Sequence, residues 1–159
     1  MESPMQLAKR MRELVLDGKW IANTNYKEQI SDLSLKEAMI RKGDSNSIAA
    51  LCFHVNYYFT GFLEFFKYGT FTIKDRFSFD MPELSEESDW EDIRTALLTN
   101  TESMTRSIER LTENELNATF VKQEYGTLRR NLEALIEHGY YHLGQLVLIK
   151  KWIRSGQEH

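Results

Sequence analysis

The chain has 159 residues and a mass of 18.7 kDa, the size of one ordinary domain, and it reads as a single unit spanning residues 1–159. Two prolines and eight glycines are too few for a many-stranded sandwich or barrel, which needs a turn about every 8–12 residues, and 42% hydrophobic with 28% charged residues excludes a disordered chain. A formal charge of −4 from 20 basic and 24 acidic residues lacks the basic excess that binding nucleic acid demands, and one cysteine cannot form an intramolecular disulfide.

In chain order, Ser3-Pro4-Met5-Gln6 is a capping box with proline at the tolerated first helical position. Leu7, Ala8, Met11, Leu14 and Val15 then recur at helical spacing, with Gly18 as the expected stop. Residues 19–33 show no period and read as a connection. Ser34-Leu35-Lys36-Glu37 opens a short helix that Gly43 should end. A second long helix is expected from about Ser45 to Tyr68, with the stripe Ile48, Leu51, Cys52, Val55, Phe59, Phe62 and Phe66. Ser88-Asp89-Trp90-Glu91 caps the third, whose seam is Trp90, Ile93, Leu97, Met104, Ile108 and Leu111. The acids around that start, Glu86 to Asp92, suit the positive end of a helix dipole better than a cation site. The fourth runs from near Thr127 to about Arg154, with Lys150, Lys151 and Arg154 in its last turns. Thr70–Asp80 and Ala118–Tyr125 alternate weakly and read as short strands or extended loops.

Four amphipathic helices bury their apolar faces against one another, so the expected fold is an all-α four-helix bundle with long connections and little or no sheet. The N-terminus has no secretory h-region. The longest mostly apolar stretch, Ile48–Phe59, is interrupted by His54 and Asn56 and falls short of a membrane span of about 20 residues. The expected location is the cytoplasm, with no membrane and no nucleic acid as partner.

His138 and His142 stand four residues apart in the fourth helix, which stacks their rings on one face about a turn apart. Alone, such a pair equally suits two core-edge histidines hydrogen-bonded to neighbours. His54 falls on the flank of its own helix stripe, on the side of Tyr58, and His138 and His142 fall on the flank of theirs, beside Gln145. Helices packed through their stripes bring such flanks together, and bundles build metal sites from facing helices. Three imidazoles leave a coordination position open, as in catalytic rather than structural zinc. His138-Gly139-Tyr140-Tyr141-His142 lacks the glutamate of zinc proteases, so the motif supplies no general base. Gly139 within a helix costs about 1 kcal/mol relative to alanine, which a close approach by another helix or a bound group would explain.

The combination of Leu51-Cys52-Phe53-His54 with His138-Gly139-Tyr140-Tyr141-His142-Leu143-Gly144-Gln145 resembles the DinB/YfiT-like superfamily, named for a damage-inducible bacterial protein. The resemblance covers nearly the whole chain. It implies a four-helix bundle of unusual connectivity, commonly homodimeric, in which His54, His138 and His142 bind a divalent metal such as nickel or zinc. It also implies a metal-dependent hydrolase, or a transferase that passes a low-molecular-weight thiol to a small electrophilic substrate. The competing reading is a non-catalytic bundle that binds metal or ligand, or only dimerises.

Gln145 is a candidate for orienting a metal ligand, and Tyr58 for donating a hydrogen bond in the pocket or serving as an edge aromatic. No side chain is assigned as catalytic acid or base. Cys52 lies within its stripe and reads as a small buried hydrophobe, not a nucleophile. His159 at the chain end is set aside, and Trp20, Trp90 and Trp152 read as core or interface anchors.

Overall fold

Side-chain caps start most of the helices. In the computed structural model, which describes residues 1–156, Ser3 and Gln6 exchange the two hydrogen bonds of a capping box and α1 runs Pro4–Arg12. One wider turn, the π-helical segment Glu13–Asp17, continues it. Gly18 then leaves in extended conformation at φ −86°, so it is not the left-handed stop its position suggests. Its lack of a side chain serves a close approach instead, since a Cβ there would collide with the backbone of Glu13.

Asn25 caps α2 (Tyr26–Ile30), a helix inside the stretch without a period, because five residues are too few to display one. The capping box of Ser34 and Glu37 opens α3 (Leu35–Ala38), which stops short of Gly43. Gly43 lies instead in a turn at φ +58°. Helix α4 (Ile48–Tyr68) starts from Ser47, two residues after the expected point. Helix α5 (Glu87–Glu109) starts earlier than the Ser88 box implies, because the Asp89 carboxylate accepts from the backbone N–H groups of Ser85 and Glu86. Thr112 and Glu115 cap α6 (Glu113–Asn117), which the sequence reading passed over. Thr127 caps α7 (Leu128–Ser155) as expected. His159 lies outside the described residues.

Among the described residues there are no strands, only one isolated bridge between Thr119 and Thr127. The two alternating segments find no partner edge. Phe71 and Phe120 turn inward instead and join Phe62 in an aromatic cluster, with Phe120 stacked on Phe62 at 5.0 Å between centroids, while Phe77 and Phe79 stay exposed. No described helix is long and apolar enough to cross a membrane.

The four long elements close an all-α bundle in which α5 packs on α1 and α4, and α7 packs on α4 and α1. Contacts along the pairs reveal their directions. Arg129 reaches the carbonyl of Glu2 while Gly139 meets Leu14, so α1 and α7 run parallel. Leu51 lies near Ile149 and Phe62 near Ala134, so α4 and α7 run antiparallel. Phe53 lies near Ile93 while Thr60 and Asn56 reach Asn100, so α4 and α5 run parallel. A parallel pair cannot be joined by a tight turn, which is why residues 69–86 form a long crossover between them.

The stripes read from sequence are the core. Leu7, Met11, Leu14, Leu51, Phe59, Leu97, Met104, Leu132 and Leu146 are buried, each worth about 1.5–3 kcal/mol of transfer free energy. Trp90 is fully buried and donates its indole N–H to the carbonyl of Leu33 at 2.8 Å. Trp20 is 88% exposed, which removes it from the core. Lys150 and Arg154 do more than face the helix dipole: both bind the Asp32 carboxylate, at 2.7 and 2.8 Å, and tie the end of α7 to the segment before α3.

Two glycines of α7 separate helix propensity from packing. A Cβ at Gly144 meets open space, whereas one at Gly139 would collide with Leu14 of the π-helical turn. Gly144→Ala is expected to stabilise the protein by about 1 kcal/mol, and Gly139→Ala to destabilise it by about 1–2 kcal/mol despite the same propensity gain, read from urea midpoints at unchanged slope. At Asp32, burial pushes the carboxyl pKa up, but the hydrogen bonds from Lys150 and Arg154 outweigh it and hold the pKa below the usual value. The pair's contribution is therefore present above the ordinary carboxylate range and fades as pH falls through it. With Asp32 half exposed, Asp32→Asn should cost no more than about 1 kcal/mol at pH 7, a difference that closes below about pH 4.

Candidate metal centre

The antiparallel packing of α4 on α7 brings three imidazoles together, edge to face. His54 lies in the second turn of α4 and is 5% exposed, and His142 on α7 is 6% exposed. His138, one turn before His142, is half-buried at the edge of a cleft. Its Nε2 stands 3.2 Å from His54 Nε2 and 2.9 Å from His142 Nε2, and the three ligand nitrogens all lie within 4.8 Å of one another.

The outer nitrogens decide what these inner ones carry. His54 Nδ1 lies 3.2 Å from the carbonyl oxygen of Ser78, and His142 Nδ1 lies 2.6 Å from Gln145 Oε1. A carbonyl oxygen can only accept, so both Nδ1 atoms carry a proton and both neutral rings turn a bare lone pair inward. His138 Nε2 can donate one proton to one of them and leaves the other facing a nitrogen. The cluster thus lacks one electrophile at its centre. A divalent ion suits it: donors around a tetrahedral ion with bonds of about 2.05 Å stand about 3.3 Å apart, close to the separations here.

Electrostatics favour the same state. Burial, then the neighbouring imidazoles His142 and His138, lowers the pKa of His54 to about 4. Burial and His142 lower that of His138 to about 4, and burial lowers that of His142. All three are neutral at pH 7, the form that coordinates a metal.

The crossover between α4 and α5 supplies the next layer. Phe79 stacks on the His54 ring at 3.9 Å and 9°, directly after the Ser78 carbonyl that holds His54 Nδ1. Tyr58, one turn beyond His54, meets the rings of His54 and His138 edge-on at 5.2 and 5.3 Å. Its hydroxyl donates to Asp75 Oδ1 at 3.1 Å. Tyr58, Asp75, Leu135 and His138 line a cleft of about 320 Å³ that reaches the centre at His138.

Of the residues singled out from sequence, His54, His138 and His142 come together, Gln145 touches His142, and Tyr58 lines the cleft. Cys52 is fully buried in the core, where desolvation pushes its thiol up to about 12, so it offers no thiolate. Gly139 lies under a close approach, by Leu14 and by the Tyr26 hydroxyl, which donates to its carbonyl at 2.7 Å. Sequence reasoning missed Ser78, Phe79 and Asp75. Ser78 acts through its backbone, which no side-chain pattern reveals, while Phe77 and Phe79 in a polar connection were a visible signal that strand-like alternation obscured.

The sequence model of the DinB superfamily matches residues 22–146, most of the chain and all three histidines, and the chain belongs to that superfamily. No curated protein and no solved structure matches it.

Nitrogen-15 NMR of chelator-treated protein should show His54 and His142 as Nδ1–H imidazoles. Gln145→Leu removes the acceptor and should shift His142 away from that tautomer while leaving His54 unchanged. An Nε2–H signal for His142 in the unsubstituted protein would contradict the lone-pair geometry.

Proposed function

We propose, with membership of the DinB superfamily as the premise, that this chain is a metal-dependent enzyme acting on a small electrophilic substrate, as a hydrolase or as a thiol S-transferase. The observation that carries the reading is the inward convergence of three Nε2 atoms, two of which, in His54 and His142, are turned inward as lone pairs by carbonyl acceptors at their outer nitrogens. His54, His138 and His142 would hold a divalent ion, and fewer than four protein donors leave a position for a reactant. Such an ion supplies Lewis acidity, which lowers the pKa of water or a thiol and polarises a carbonyl oxygen.

The chain's own groups divide the remaining work. Ser78 and Gln145 keep two rings in the coordinating tautomer. Phe79 covers one face of His54 and excludes water from it. Asp75, with one oxygen engaged by Tyr58, presents a carboxylate to the cleft that can take the proton lost by an incoming nucleophile. With Cys52 buried as a thiol, sulfur chemistry here requires a thiol from solution.

Protein purified without chelator should contain about one divalent ion per chain, and His54→Ala and His142→Ala should lose it. Thiol-conjugation and ester-hydrolysis panels, run with and without chelator, should reveal turnover that chelation abolishes and that Asp75→Asn lowers without changing metal content. Equal metal content in all variants overturns the site. Metal retention without turnover in either panel overturns the enzyme reading in favour of a binding bundle.

A further inference from the structure

The cleft at His138 does not end there. Asp75, Phe120 and Asn131 are shared between it and a larger groove of about 630 Å³. This groove lies between the crossover strip Phe71–Asp75 and the loop Phe120–Tyr125. Sharing these residues, the two spaces adjoin and run from His138 outward over Phe120.

Its walls are fixed. Tyr57 accepts from the backbone N–H of Lys74 and donates to its carbonyl, at 3.1 and 3.0 Å, and Glu64 accepts from the hydroxyls of Thr70 and Thr72. Opposite, Val121 is held at φ +58°, a conformation a β-branched residue rarely adopts, in a tight turn closed by Lys122 N–H to the Phe120 carbonyl at 2.6 Å. That turn buries Phe120 as part of the floor and leaves Val121 42% exposed on the rim. Strain of this kind persists where the surrounding structure imposes it, and it clusters at ligand sites.

The lining carries charge of both signs. Asp75 is common to the cleft and the groove, and the groove alone adds Lys74, which makes no ion pair among the described residues, and Lys122, which lies loosely at 3.8 Å from Glu124 and over the Tyr125 ring. Phe71, Ile73 and Phe120 supply its aromatic and aliphatic surface. On a chain of net charge −4, two lysines lining opposite walls of one groove form a local exception.

From this path we infer that the substrate of the three-histidine centre is an elongated organic anion. Its reactive end lies at His138, its apolar or aromatic stem over Phe120, and its anionic group between Lys74 and Lys122. The inference rests on the proposed function for which end reacts, but binding in the groove requires no metal.

Fluorescence titration of the full chain, as purified and after chelation, tests it with two probes of one skeleton: 1-anilinonaphthalene-8-sulfonate and the uncharged N-phenyl-1-naphthylamine. The sulfonate should bind more tightly than the neutral probe, and Lys74→Glu/Lys122→Glu should weaken it by about tenfold. The same double variant should leave the neutral probe within about twofold, which shows that the groove itself is intact. Lys9→Glu/Lys27→Glu, an equal charge change elsewhere, should have no effect. His138→Ala should still bind the sulfonate even where it loses metal, so failure of the metal reading and failure of the groove reading are separable. Sulfonate affinity indifferent to Lys74 and Lys122, or equally weakened by the control pair, overturns the assignment; so does a parallel loss for the neutral probe.

Discussion

At Gly139 the last long helix has no side chain, and Leu14 fills the volume a methyl group would need. This contact sets how near α7 can lie to the end of α1, and the Tyr26 hydroxyl, donating to the Gly139 carbonyl, holds the same spot from α2. Because Gly139 directly follows His138, the depth of that contact also fixes how far the histidine face of α7 is offered to α4. The widening of α1 into a π-helical turn is what brings Leu14 to this position. Packing on one side of a helix thus sets coordination geometry on another.

The centre itself is economical in charge. It places three neutral rings in a largely buried margin with no carboxylate among the ligands, so an ion bound there would keep its full charge for polarising a reactant. Asp75, an acid of the cleft, is engaged by the Tyr58 hydroxyl and stands outside the ligand set. Neutral ligands on the protein side and an acid on the solvent side divide the tasks of holding an ion and moving a proton.

Much of this was legible in the sequence, for reasons specific to each element. The stripes of α4, α5 and α7 are long enough to show a 3.6-residue period, and the caps of α4 and α7 are the hydroxyls of Ser47 and Thr127, with short, local geometry. The three histidines could be placed on facing helix margins by the same arithmetic. Helices α2 and α6 were not legible, since five residues hold less than two turns. Nor were the roles of Ser78 and Phe79, which depend on how the crossover returns across α4, a tertiary event that no local pattern encodes. Gly18 misled because its glycine requirement comes from the nearness of Glu13 and not from backbone handedness.

The orienting bonds of the centre differ in how much chain they span. His142 is fixed by Gln145 three residues away, while His54 is fixed by Ser78 across 24 residues and meets His138 across 84. The His138–His142 half is therefore complete as soon as one turn of α7 is wound, on the time scale of helix growth. The other half exists only after a long loop has closed and two helices have docked, with the entropy of closure already spent. Assembly of the three nitrogens is consequently among the late events of folding, and a probe of their convergence reports when the native topology is complete.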